Sequence, residues 1–122
     1  AFGLGVNIPD IRLVIHHSPS IGLDEYIQEA GRAGRDGRQA KAVLLWHPYD
    51  FTMNRGLIEK AKLQLTGKQR KERLAALDAL QAYAQDEEHC RWRMVRKFFG
   101  EPKGDRCYDQ CDNCFCRDED WL

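Results

Sequence analysis

The sequence contains no apolar run approaching the ~18 residues that a membrane-spanning helix requires. Nor does it open with the basic lead and long apolar block of a secretory signal. It has no net charge: 19 Lys and Arg balance 19 Asp and Glu. No global field therefore draws it to nucleic acid, and any such contact must come from local patches. A phosphate loop of the form Gly-x-x-x-x-Gly-Lys-Ser/Thr is missing. So is a dinucleotide fingerprint, because Ile8 stands where a third glycine would follow Gly3 and Gly5. There is no initiator Met, and the chain opening on Ala1-Phe2-Gly3 reads as the C-terminal piece of a longer protein.

What is present fits a small mixed protein. The 122 residues, 43% apolar and 31% charged, have room for one ordinary domain or two small units. Gly3, Gly5 and Pro9 predict an irregular loop over residues 1–10, where backbone can approach a ligand closely. Ile11-Arg12-Leu13-Val14-Ile15-His16 is an apolar, β-branched run, consistent with a strand buried on both faces. A helix is expected over about 22–31, followed by a second strand at Lys41-Ala42-Val43-Leu44-Leu45-Trp46. Strand, helix and strand at this spacing suggest a parallel βαβ unit. His16 and His17 read as a polar strand terminus packed against a loop, since no nucleophile or metal-ligand spacing accompanies them. Asp24 and Glu25 suit the helix dipole and need no further role.

After Pro48 the pattern turns helical. Phe51, Leu57, Ile58 and Ala61 support one helix, which Leu65-Thr66-Gly67-Lys68 interrupts. Arg73 to Ala84 is rich in strong helix formers, with Leu74, Leu77, Leu80/Gln81 and Ala84 as its apolar stripe. Cys90 opens a third helical run in which Trp92, Val95, Phe98 and Phe99 take core-like spacing, ended by Gly100 and Pro102. Two basic clusters, Lys68/Arg70/Lys71/Arg73 and Arg91/Arg93/Arg96/Lys97, are either phosphate contacts or solvated helix faces.

The cysteines carry the sharpest signal. Cys90, Cys107, Cys111 and Cys114 give C-x16-C-x3-C-x2-C. Paired thiolates near one tight loop, closed by a distant thiolate, suit a closed tetrahedral zinc site, structural rather than catalytic. Disulfides are the weaker reading, because five cysteines is an odd number and no secretory segment is visible. Cys116 or His89 remains an alternative ligand.

A second constellation is Gln28-Glu29-Ala30-Gly31-Arg32-Ala33-Gly34-Arg35-Asp36-Gly37. Gln28 and Arg32 share one helix face, four residues apart. Glycine at every third position predicts that the helix frays into a loop bearing Arg32 and Arg35. Two guanidiniums on such a loop form either a phosphate clamp or a salt-bridged helix end.

This segment resembles motif VI of superfamily-two helicases, Gln-x-x-Gly-Arg-x-Gly-Arg, in the form found in RecQ-family DNA helicases. Ala1-Phe2-Gly3-Leu4-Gly5-Val6-Asn7-Ile8-Pro9-Asp10-Ile11-Arg12 resembles motif V of the same family. The Cys-Arg-Trp-Arg…Phe-Phe-Gly-Glu…Cys…Cys-Asp-Asn-Cys arrangement is similar to its zinc-binding subdomain, with three residues rather than the commoner two between Cys107 and Cys111. The resemblance implies an α/β fold: the C-terminal part of a RecA-like parallel-sheet domain over residues 1–56, then a mainly helical zinc-binding subdomain over 57–122.

It further implies an ATP-dependent 3′-to-5′ DNA helicase acting in repair and recombination, with structural Zn²⁺ and with ATP and Mg²⁺ in the full-length enzyme. Single-stranded DNA and duplex junctions, and an upstream RecA-like domain of the same chain, would be its partners, with no membrane. The implied location is intracellular, the nucleus in a eukaryote and the cytoplasm or nucleoid in a bacterium. By the same resemblance Gly3, Gly5 and Asn7 line the nucleotide cleft and Asp10 and Arg12 brace it. Arg35 is the γ-phosphate finger, with Arg32 and Gln28 holding the phosphate and the interdomain contact. With the phosphate loop and the Asp-Glu-x-His box read as absent, residues 1–122 alone are expected to be inactive. The alternative is a non-enzymatic, zinc-dependent DNA-binding or protein-interaction module.

Overall fold

The computed structural model describes residues 10–33, 40–60, 65–101 and 111–115. Strand β1 (Leu13–His16) and strand β2 (Lys41–Leu44) flank helix α1 (Leu23–Ala30) in sequence. Helix α2 (Pro48–Lys60), helix α3 (Gly67–Gln85), helix α4 (Arg91–Phe98) and the single turn α5 (Asp112–Phe115) follow. The strands pair in parallel, with Leu13 opposite Lys41 and His16 opposite Leu44. This is the βαβ unit that the spacing predicts.

The chain divides into two compact units, residues 1–81 and 82–122, with the boundary inside α3. In the first unit Leu23, Tyr26, Phe51, Ile58, Ala76, Leu77 and Leu80 are buried. The apolar stripe expected on α3 thus faces a core. The strands do not match their expected burial. Leu13 and Ile15 are about half exposed, as is Leu45 just past β2, where Trp46 is 38% exposed. Among the described residues the two strands have only each other as sheet partners, so neither face is covered as a full α/β sheet covers it.

Polar groups fix how the helices lie in this unit. Arg73 on α3 pairs with Asp24 and, at 3.8 Å, with Glu25 at the start of α1. The Asp24 hydrogen bond raises the Arg73 pKa, and the nearby acidic charges outweigh the opposing effect of burial. Asp24 therefore has a tertiary role beyond the helix dipole, a correction to the sequence reading. Arg55 on α2 pairs with Asp78 on α3, and Asn54 Nδ2 donates to the carbonyls of Pro19 and Ser20 at 3.1 and 3.2 Å.

Three of the helices have well-defined starts or stops. Thr66 Oγ1 accepts the Gln69 N–H at 3.1 Å while Gln69 Oε1 accepts the Thr66 N–H at 2.9 Å, a reciprocal capping box that opens α3. Ahead of α2, His47 Nδ1 accepts the Tyr49 N–H and Asp50 Oδ2 accepts the His47 N–H. Pro48 occupies the first helical position, where its missing N–H costs nothing. Helix α4 stops at Gly100, whose φ of 73° lies in the left-handed region. The Glu101 and Gly100 N–H groups return to the carbonyls of Arg96 and Lys97, a Schellman closure.

Gly22, which precedes α1, is required by closeness rather than by its backbone angles. A Cβ there would lie 2.8 Å from the Ala76 Cβ and 2.7 Å from Asp24 Oδ1. Gly22→Ala should therefore destabilise the fold by about 1–3 kcal/mol, as overpacked sites do. Chemical denaturation of the two proteins measures this, and equal midpoints and slopes would show that the contact relaxes freely.

Candidate functional site

The second unit is built around three thiols. Cys90 stands immediately before α4, Cys111 immediately before α5, and Cys114 within α5. All three are buried and free of disulfides. Their sulfurs lie within 4.8 Å of one another, and among the described residues they form the group able to hold a metal ion. Thiolates ~2.3 Å from a tetrahedral zinc sit about 3.8 Å apart, so a trio this compact and protected from water fits zinc by donor type and spacing. Cys107 and Cys116 lie outside the described residues. His89, the other alternative ligand, has a 72% exposed side chain and directs Nδ1 to Asp86 Oδ2 at 2.8 Å.

Segments 21 residues apart in sequence converge here because a polar hub joins them. The Arg91 guanidinium bonds to Asp112 through Nε and, at 3.0 Å, through Nη2. It also donates to Asn113 Oδ1, to the Asp86 carbonyl and to the Tyr83 carbonyl. Its Cζ lies 5.1 Å from the centre of the Tyr83 ring. Asn113 Nδ2 donates to the carbonyls of Asp86 and His89, both at 2.9 Å. The Arg91 backbone N–H approaches Cys111 Sγ at 3.5 Å. Burial works against the Arg91 charge, but hydrogen bonding to Asp112 and that carboxylate's charge raise its pKa. The same hydrogen bond holds the Asp112 carboxyl below the ordinary range.

Sequence reasoning missed this hub, although two signals were available. Arg91 directly follows Cys90, and Asp112-Asn113 fills the space between Cys111 and Cys114. It also assigned Arg91 and Arg73 to basic clusters, whereas both are engaged in ion pairs within the protein. The aromatics of α4 differ from expectation as well. Val95 is buried, but Trp92 is 48% exposed, and Phe98 and Phe99 are exposed too.

The letters Asp-Glu-x-His do occur, at Asp86-Glu87-Glu88-His89, contrary to the reading that they were absent. They form the connection between α3 and α4. Asp86 Oδ1 accepts the N–H groups of Glu88 and His89 at 2.8 and 2.6 Å. Burial pushes the Asp86 pKa up, and these bonds with the His89 ring bring it below the usual value. The carboxylate is thereby committed to closing a turn.

The other predicted site residues belong to the first unit. Gln28 is exposed on α1, and Arg32 is half-buried just beyond its end. There the Arg32 and Ala33 N–H groups bond to Glu29 and Ala30 carbonyls, tightening the last turn to the i→i+3 pattern. Gly31 keeps right-handed angles, with φ −66°, so the helix tightens before any fraying. Arg35, Gly3, Gly5 and Asn7 lie outside the described residues. Arg12 Nε donates to the Asp10 carbonyl at 3.2 Å. His16 packs on Tyr26, with ring centroids 4.8 Å apart, and its Nε2 is 3.7 Å from Glu29. Glu29 also accepts the Ser20 hydroxyl at 2.8 Å. His16 thus serves α1 packing rather than a loop contact.

Comparison with known proteins adds an independent line. Residues 48–115 match the RecQ zinc-binding family, and residues 1–37 match the helicase conserved C-terminal domain. The chain is 39% identical over 114 residues to an ATP-dependent DNA helicase RecQ of Bacillus subtilis, covering 93% of this chain and 18% of that protein. It is 38% identical over 116 residues to an ATP-dependent DNA helicase Q-like 2 of Arabidopsis thaliana, covering 93% and 15%. Identity to a rat ATP-dependent DNA helicase Q1 is 36% over 120 residues, covering 98% and 18%. The chain therefore spans less than a fifth of the length of these relatives. The two matches fall in the order that the fold class requires: a parallel-sheet segment, then a mainly helical zinc-binding part. With the zinc-binding match extending over more than half of its length, the chain belongs to the RecQ zinc-binding family.

Proposed function

We propose that this chain is part of an ATP-dependent 3′-to-5′ DNA helicase of RecQ type. The observation that carries the proposal is the zinc-binding family match over residues 48–115, in which three buried thiols gather. In this reading Cys90, Cys111 and Cys114, with Cys107, hold one zinc ion. Zinc bound by four thiolates supplies a structural cross-link and leaves no open position for chemistry. Residues 1–56 contribute one wall of the nucleotide cleft, and residues 57–122 form the zinc module.

The chain's own residues supply one side of the nucleotide site and its coupling to the rest of the protein. Gly3, Gly5 and Asn7 line the cleft, and Gln28 and Arg32 hold phosphate and the contact to an upstream RecA-like domain. In this reading Arg35 is the finger, a guanidinium whose fork of donors suits the charge that develops on the transferring phosphoryl group. Mg²⁺ and the remaining phosphate contacts come from that upstream domain. The DNA substrate is single-stranded or a duplex junction, which places the work inside the cell, in the nucleus of a eukaryote.

Strand separation by the full-length protein tests this. A duplex with a 3′ single-stranded tail should be unwound when ATP and Mg²⁺ are present, and a 5′-tailed duplex should not. Full-length protein that binds tailed DNA but neither hydrolyses ATP nor separates strands would instead be a zinc-dependent binding module.

A further inference from the structure

The hub around Arg91 does more than fill space beside the thiols. It bonds to both cysteine-bearing segments and to the end of α3. From Arg91, next to Cys90, the guanidinium reaches Asp112 and Asn113, which lie between Cys111 and Cys114, and also the carbonyls of Tyr83 and Asp86. Asn113 is itself buried, with its amide committed to the carbonyls of Asp86 and His89. No metal is needed to draw this set of bonds, because each joins protein groups. Their combined effect is to fix where Cys111 and Cys114 stand relative to Cys90.

We infer that Arg91 is a positioning residue for the metal centre, assembling Cys90, Cys111 and Cys114 into a ligand set before the metal arrives. The inference rests on the reading of these thiols as zinc ligands. Two physical effects follow. Ligands already gathered lose less conformational freedom on binding, so affinity rises without any added contact to the metal. A zinc ion with four thiolates also carries net negative charge, and a fixed guanidinium beside it offsets part of that charge. Groups that orient metal ligands in this way typically change affinity by about 10–100-fold when removed.

The test is zinc affinity, measured by chelator competition on the 122-residue chain, beside cobalt(II) titration followed through thiolate-to-cobalt absorption. Arg91→Met should weaken zinc by about 10–100-fold and shift the cobalt midpoint in parallel. At saturation the absorption per cobalt should be unchanged, because the ligands themselves remain. Arg91→Lys should recover only a small part of the loss, since one ammonium cannot fork onto Asp112 while also reaching the Tyr83 carbonyl.

Arg73→Met breaks a comparable ion pair in the first unit and should leave zinc affinity within about two-fold, as sites with no shared partners do. This control separates positioning from general loss of stability. Should Arg91→Met fail to fold even with zinc, Asp112→Asn carries the question. It keeps side-chain shape and the other Arg91 bonds, and zinc should weaken by about 10-fold. Unaltered zinc affinity in either folded variant overturns the inference. So does a loss in Arg73→Met equal to that in Arg91→Met. An unaltered chain that binds no zinc overturns the metal reading itself, a result distinct from both.

Discussion

Replacing Arg35 with alanine in the full-length protein should lower kcat for ATP hydrolysis by about 10³–10⁵, the scale on which arginine fingers act. Nucleotide and single-stranded DNA should still bind. The reason lies in timing: a finger acts where charge shifts during transfer, so its loss is felt in the transition state more than in the ground state. Arg35→Lys should restore little, because a point charge on a flexible stem does not reproduce the planar fork. If Arg35 were instead an ordinary surface residue, the cost would be about 1 kcal/mol of stability or less, with near-normal turnover. Steady-state ATPase kinetics beside a nucleotide titration separates the outcomes. Turnover within a few-fold of the parent would remove Arg35 from the role and make Arg32 the residue to examine.

Metal removal is the second large effect. The chain purified without added metal should carry one zinc, and chelation should abolish cooperative unfolding of the 82–122 unit. Apparent binding free energies for structural zinc in small modules are about 10–16 kcal/mol, far above what so small a unit gains from burial alone. Cys114→Ser should lose most of that stabilisation, while Cys116→Ser should lose little. Elemental analysis with thermal unfolding followed by circular dichroism reads both. Cooperative folding of the 82–122 unit without zinc would overturn the structural role, and equal losses in the two variants would reassign the fourth ligand.

The sequence and the structure agree where the signal is local. Runs such as Leu13-Val14-Ile15 and Ala42-Val43-Leu44 mark strands through β-branching, and the Ala/Leu-rich segment of α3 marks a helix. The cysteine spacing was local enough to identify three thiols that the fold brings together. What depended on distant partners was not legible. The Asp24–Arg73 pair joins residues 49 positions apart, and no periodicity announces it. Strand burial depends on neighbours on both sides, which Leu13 and Ile15 lack among the described residues. The capping box at Thr66 and Gln69 is a different case. Its residue types stood three apart in plain view, yet the segment was read only as an interruption.

The commitment of Arg73 to Asp24 also has a thermodynamic consequence for nucleic-acid binding. Each cation that neutralises a DNA phosphate releases condensed counterions and steepens the dependence of affinity on salt by about 0.9 in the log–log slope. An arginine already neutralised within the protein releases none. If the Lys68–Arg73 segment lies along DNA, its contribution to that slope comes from Lys68, Arg70 and Lys71, about one unit less than its four basic residues suggest.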